Sequence, residues 1–232
     1  MQIQIKLLAI FICLSFISQS QENTSIYGSF ESISQYLNDD EGLNFYAPSD
    51  NFRSNNYLQL DFQNGNFSYG IQYESYLPSA LLGYSEIFDN NEGIAQYYFK
   101  YENTNSEITV GSFYEQFGNG LVFRAWEDRQ LGINNSLRGI RYRFSPSKEI
   151  EISAIHGKQR FGFEYSNSVI SGINSNIDIS KIVKLNKFSF SIGLRHLKRY
   201  QKLNAGFGEP ENVNLSGVSL DLLYKDFYIN AE

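Results

Sequence analysis

Polar and apolar residues alternate at a period of two along most of this chain, and the alternation comes in pairs of runs joined by tight turns. Leu58, Leu60 and Phe62 lead into Asn64-Gly65, and Phe67, Tyr69, Ile71 and Tyr73 lead out. A period of two puts every second side chain on one face of a strand. A two-residue turn would pair Phe62 with Phe67, Leu60 with Tyr69 and Leu58 with Ile71, leaving Gln59, Asp61, Ser68, Gln72 and Glu74 on the other face. Four further turns repeat the pattern, at Thr104-Asn105, Ser145-Pro146-Ser147-Lys148, Leu185-Asn186 and Lys225-Asp226. Tyr97, Phe99 and Tyr101 then face Ile108 and Val110, and Phe144, Tyr142 and Ile140 pair with Ile150, Ile152 and Ala154. At the fourth turn Val183 pairs with Phe188, Ile179 with Ile192 and Ile177 with Leu194, and at the last Leu222 and Tyr224 face Ile229 and Phe227. Lys181 is the exception, placed where the pattern wants a hydrophobe.

The connections between hairpins are much longer and rich in Asn, Ser, Gly, Asp and Glu: roughly 37–52, 77–93, 115–136, 157–175 and 197–213. Tight turns alternating with long polar loops, on strands long enough to cross a bilayer at a tilt, predict an all-β, antiparallel up-and-down transmembrane β-barrel of the outer membrane. One strand at 26–36 and two per tight turn give about 11 strands. An odd count, and alternation still running at Phe227, Ile229 and Ala231, predict an incomplete barrel: residues 21–232 as the N-terminal portion of a larger one. A spacing of ~40 residues also suits a β-propeller, and one-sided alternation also suits a soluble secreted or periplasmic sandwich that binds a ligand. Blades of four short strands are missing from the pattern, and most strands carry charge on the face opposite the hydrophobes.

Composition sharpens this picture. The 232 residues include 17 Tyr, 19 Phe and 18 Gly against 4 Pro and 1 Trp, a strand-forming profile. The formal charge of −6 gives a nucleic-acid partner no electrostatic support. Lys6 precedes the apolar run Leu7 to Ile17 and the small residues Ser18 and Ser20, which predicts a cleaved signal peptide over residues 1–20. The single cysteine, Cys13, falls within it, so the mature chain has no disulfide, thiol nucleophile or cysteine metal site.

Charge concentrates in one place. The loop after Tyr114 carries Glu115, Arg124, Glu127, Asp128 and Arg129, and the following strand adds Arg138, Arg141 and Arg143. With the predicted register Arg143 lies across from Glu151. These nine residues are the candidate lining of a charged lumen or constriction, either as an ion-pair network that holds the loop against the wall or as an eyelet where fixed charges select solutes. Because both signs are mixed, strong anion selectivity does not follow. His156, Lys158 and Arg160 leave the wall at the outer rim, as candidate contacts for lipopolysaccharide. Ser153 and His156 are three apart on a strand and fall on opposite faces, and two histidines offer no metal-ligand spacing, so no catalytic residue, metal or cofactor is assigned. Leu121, Val122, Ala125 and Trp126 have helical spacing and suggest an amphipathic turn. Tyr46, Phe52, Tyr84 and Phe88 suggest an aromatic girdle or sugar-binding rim.

The segment GSFYEQFGNGLVFRAWEDRQLGINNSLRGIRYRF, with GKQR at Gly157 to Arg160, resembles a family of Bacteroidota outer-membrane barrels known only as a domain of unknown function. The specific likeness covers about fifty residues, Gly111 to Arg160. It implies a longer parent protein and carries over no catalytic residue. The expected function is an integral outer-membrane protein, a passive solute pore or surface-assembly scaffold rather than an enzyme. Its expected partners are outer-membrane lipid, lipopolysaccharide and the barrel-assembly machinery.

Overall fold

A computed structural model describes residues 24–185, 187–202 and 210–232. The leader, Asn186 of the fourth turn and part of the last long loop lie outside the described residues. The fold is all-β and antiparallel. Eleven strands follow one another in sequence order through a single sheet: β1 (Thr24–Tyr36), β2 (Phe52–Asn64), β3 (Phe67–Tyr76), β4 (Asn91–Glu102), β5 (Ser106–Phe113), β10 (Leu137–Ser147), β11 (Ile150–Phe161), β13 (Val169–Asp178), β14 (Ser189–Tyr200), β15 (Asn212–Tyr224) and β16 (Phe227–Ala231). The short β12 (Glu164–Tyr165) folds back onto β11. Within the 114–136 loop, β6 (Glu115–Phe117) pairs with β7 (Phe123–Ala125), and β8 (Glu127–Asp128) with β9 (Ile133–Asn134). One continuous sheet replaces the blades a propeller would need. Among the described residues β1 and β16 form its two edges and no ladder joins them, so the sheet is open.

Faces are as the alternation requires, while three registers differ. At the first hairpin Gly65, at φ +55, takes the first central turn position, where primed turns require a positive φ. Phe62 therefore meets Tyr69, Leu60 meets Ile71 and Leu58 meets Tyr73. The displacement is two residues in the pairing, which keeps each side chain on its face. Pairing at the third turn slips the same way: Phe144 meets Ile152, Tyr142 meets Ala154 and Ile140 meets His156, with a bulge between Phe144 and Ser147. Arg143 consequently faces Ser153 rather than Glu151. At the fourth turn Asp178 caps a four-residue helix, α1 (Ile179–Ile182), and Ile177 pairs with Ile192. Lys181 sits on α1 bound to Asp178 at 2.9 Å, so it never occupies a strand position on the apolar face. The second and fifth hairpins have the expected register.

Two of the expected long loops are shorter. β11 runs to Phe161 and β13 starts at Val169, while β14 runs to Tyr200. The strands continue past their apolar stretch, and alternation of hydrophobes could not report the polar extension.

One face holds the 114–136 loop and is called inner here. The outer face carries Phe99, Ile108, Val110, Ile140, Tyr142, Leu194, Val218 and Leu220, between 38% and 56% exposed. At its tight-turn end stand paired aromatics: Phe62 stacked on Tyr69 at 5.0 Å, and Phe67 against Tyr101 and Phe99 at 5.0 and 5.7 Å. These strand residues form the aromatic border, whereas Tyr84 and Phe88 pack inward with Tyr57, Tyr76 and Phe163 under the loops. Tyr46 and Phe52 are exposed.

Candidate functional site

The site is the 114–136 loop and the inner wall beneath it. Gly118 and Gly120, at φ +56 and +93, turn the chain so that β6 and β7 form a short hairpin. Alternation then sorts its side chains. Phe117, Phe123 and Ala125 face the wall and join Phe113, Leu137, Ile155, Ile170 and Leu197 in a dry cluster. Phe117 lies over Gly172, where a Cβ would come within 2.8 Å of its ring. The extended β7 rules out the helical turn expected at Leu121, Val122, Ala125 and Trp126. Of these, Ala125 is buried, Val122 packs at the edge of the cluster and Leu121 is exposed.

Ion pairs fasten both ends of the loop. Glu115 accepts from Arg143 at 3.1 and 3.2 Å and lies 3.9 Å from Arg141, which binds Glu107 at 2.6 Å and the Tyr114 carbonyl at 2.7 Å. Lys100 reaches Glu102 at 2.8 Å and Glu107 at 3.9 Å, so six charges alternate in sign across β4, β5, β10 and the loop. Farther along, Arg129 binds Glu127 at 3.2 Å, pairs with Glu31 of β1 and lies 4.3 Å over the Tyr57 ring. On the opposite side Asn119 donates to Glu232 at 2.7 Å and to Asn230 at 2.8 Å. The loop thus touches the wall from β1 to β16.

Two buried pairs flank it. Arg160 and Glu74 form a bidentate pair at 2.8 and 2.6 Å with both side chains at most 1% exposed, and Tyr76 and Gln72 also donate to Glu74. Arg195 binds Glu232 at 2.9 Å, Ser219 at 3.0 Å and Asn174 at 3.3 Å. Glu74, Glu107 and Arg195 were not singled out from sequence. Their positions on the polar face were readable, but their partners were not: Glu107 meets Arg141 on the adjacent strand, Arg195 meets Glu232 just past β16, and Glu74 meets Arg160 four strands away.

The expected lining therefore divides. Glu115, Arg141, Arg143, Glu127 and Arg129 come together as fastenings of the loop. Asp128 instead caps a turn through the Gln130 and Leu131 amides at 2.9 and 3.1 Å. Glu151 is on the inner face near the tight-turn end, opposite Asn176, and takes part in no ion pair among the described residues. Arg124 points away from the wall, exposed, with its guanidinium 4.3 Å over Trp126 and, among the described residues, no ion pair. Arg138 is not in the lining. It shares parity with Ile140 and Tyr142, so it lies on the outer face, 4.8 Å from the rings of both Tyr97 and Tyr165. The rim set divides as well: His156 and Lys158 project outward from within β11, whereas Arg160 is buried in its pair with Glu74.

Where β4 and β5 part beyond Tyr98 and Gly111, a cavity of about 350 Å³ opens, lined in part by Gln72, Gln96, Thr109, Tyr114 and Arg141. His156 and His196 bind Ser171 and Ser216 at 2.8 and 2.9 Å, but among the described residues neither ring has a second partner to orient it as a base. Among those residues no cluster of acidic, histidine or cysteine side chains could hold a metal, and no helix is long and apolar enough to cross a membrane.

A family model matches residues 1–232 of this chain. The chain belongs to the Family of unknown function (DUF6029). The match extends well beyond the fifty residues that carried the resemblance. No curated protein matches. Two solved structures of Pseudomonas aeruginosa proteins are among those similar to this chain: OccK2 (OpdF) in complex with glucuronate, 8% identical with a TM-score of 0.39, and OpdL, 13% identical with a TM-score of 0.42. Each alignment covers 87% of this chain but only 60% and 56% of those structures, so the chain spans less than two thirds of their length.

Proposed function

We propose that this DUF6029 chain forms wall of an outer-membrane β-barrel, exported through a cleaved leader at residues 1–20, with the 114–136 loop folded across the inside as a constriction in a passive, porin-like pore. The observation that carries this reading is the contrast between the two faces. The outer face presents a band of aliphatic and aromatic side chains that continues over the successive strands of the sheet, and a contiguous exposed apolar surface marks contact with a membrane or a partner. A soluble sandwich would cover that band with a second sheet. The inner face is polar, charge-paired and occupied by an ordered loop, as a wet lumen permits. Glu115, Glu127, Arg129, Arg141 and Arg143 hold the loop, and Arg124 with Trp126 faces the open side as the residue for a passing solute to meet.

A surface-assembly scaffold is the second reading, favoured by how fully ion pairs and hydrogen bonds fix the loop from β1 to β16. Planar-bilayer conductance of the purified protein separates the two. Discrete channel steps support the pore, and silence at every voltage leaves the scaffold. Release from membranes by alkaline carbonate or urea without detergent would defeat both.

A further inference from the structure

The outer face is apolar only over part of its height. Towards the long loops, on β10, β11, β13 and β14, the outward positions turn cationic and polar. Arg138 stands directly opposite Lys158. One step nearer the tight turns, His156, Ser171, Lys198 and Asn214 form a continuous row over four strands. The next row contains His196 opposite Ser216. Adjacent strands are ~4.8 Å apart, so the cations spread over roughly 15 Å of wall. Arg138, His156, Lys158, His196 and Lys198 are all exposed. None of them joins any ion pair among the described residues. Arg138 is held by the Tyr97 hydroxyl and two rings, which leaves other guanidinium N–H groups free to donate.

Lysine and arginine facing hydrocarbon are costly at mid-bilayer and nearly free at its interface, so this cluster belongs at the level of lipid head groups. Long loops mark the external side, which places it in the outer leaflet. There the anionic groups are the phosphates of the glycolipid anchor of lipopolysaccharide. Resting on the outer-membrane reading above, we infer that the loop-end outer surface of β10–β14 is a binding site for that phosphorylated glycolipid, with Arg138, Lys158 and Lys198 as charge partners and His156 and Ser171 as hydrogen-bonding groups between them. Arg160, expected at this rim from sequence, takes no part.

The test uses protein extracted from membranes in detergent and stripped of lipid, with bound lipid counted by native mass spectrometry. Bisphosphorylated lipid A, the same lipid without phosphates, and phosphatidylglycerol are the probes. Each neutralised cation near a lipid surface weakens binding about fivefold, so Arg138→Gln/Lys158→Gln/Lys198→Gln should bind bisphosphorylated lipid A on the order of 100-fold more weakly. Lys148→Gln/Lys225→Gln, at the tight-turn end, should bind like the parent. If the triple variant does not fold, Lys158→Gln alone should still show the fivefold loss. Equal binding of lipid A with and without phosphates, equal binding of phosphatidylglycerol, or an unaffected Lys158→Gln would overturn the site. Carbonate release of the parent would instead overturn the membrane reading beneath it.

Discussion

Arginines on the two faces of this sheet are treated in opposite ways. Inside, Arg129, Arg141, Arg143, Arg160 and Arg195 each have a carboxylate within ion-pair distance. Outside, Arg138 has tyrosine rings and, among the described residues, no carboxylate. A charge fully buried under the loop, as Arg160 and Arg195 are, must find its counter-ion within the protein, or the uncompensated burial is strongly destabilising. A charge at a lipid-facing rim keeps its counter-ion in the surroundings. For these six arginines the partner goes with what the arginine faces, whereas Arg53, inward on β2, is held by the Ala80 carbonyl at 2.9 Å instead of a carboxylate.

Breaking the inner rule should have the largest effect. Glu74→Ala leaves Arg160 buried and unpaired, and should lower stability by about 3–5 kcal/mol. The loss is measurable as a fall in the temperature at which folded, fast-migrating protein converts to the slow form on gels.

Glu115→Gln removes the anion shared by Arg141 and Arg143. Hydrogen bonds to charged groups contribute about 1.5–3 kcal/mol, and a loss in that range is expected. If the loop is a constriction, proteolysis within 114–136 should quicken and conductance should rise, because the fastening at the start of the loop is gone.

Arg124→Ala tests the exception among the loop arginines. Having no carboxylate partner among the described residues, Arg124 should change stability by no more than about 0.5 kcal/mol when replaced. Reversal potential in a salt gradient should nonetheless move towards cations. A large loss of stability with unchanged selectivity would move Arg124 into the fastening set.

The smallest effect lies in the fourth turn, outside the apolar band. The Ser180 hydroxyl, with Lys181, holds the Asp178 carboxyl down to about 2. An unfolded aspartate titrates near 3.9. The folded value is the lower, so the cap's contribution is complete above about pH 3.9 and is lost as the pH falls through about 2. Asp178→Asn should unfold slightly more easily than the parent at pH 6, by about 0.5 kcal/mol at the low end of capping effects. Thermal melts at pH 6 and pH 2 should show that gap narrowing.

The same asymmetry explains what could be read from sequence. Tyr142 and Phe144 alternate with Arg141 and Arg143, and a period of two was enough to assign faces on most strands. Two-residue slips at the first and third turns left those faces intact, so they were invisible to alternation. Where the outer face stops being apolar the signal ends too, and Lys158, Gln159 and Lys198 read as loop although they lie in β11 and β14. Arg138 could have been placed by counting two back from Ile140. Its proximity to the charged loop in sequence gave the wrong face. The Glu74–Arg160 pair, 86 residues apart, depends on loop packing that no local spacing records.

Accessibility along β11 tests the central claim that one face meets lipid and the other meets the loop. With spin labels at Ile152, Ser153, Ala154, Ile155 and Lys158 in reconstituted membranes, oxygen should reach 152 and 154 far more than a water-soluble nickel relaxant does. Positions 153 and 155 should be shielded from both, and 158 should meet the nickel reagent at the interface. High nickel accessibility at 152 and 154, equal to that at 158, would contradict the account.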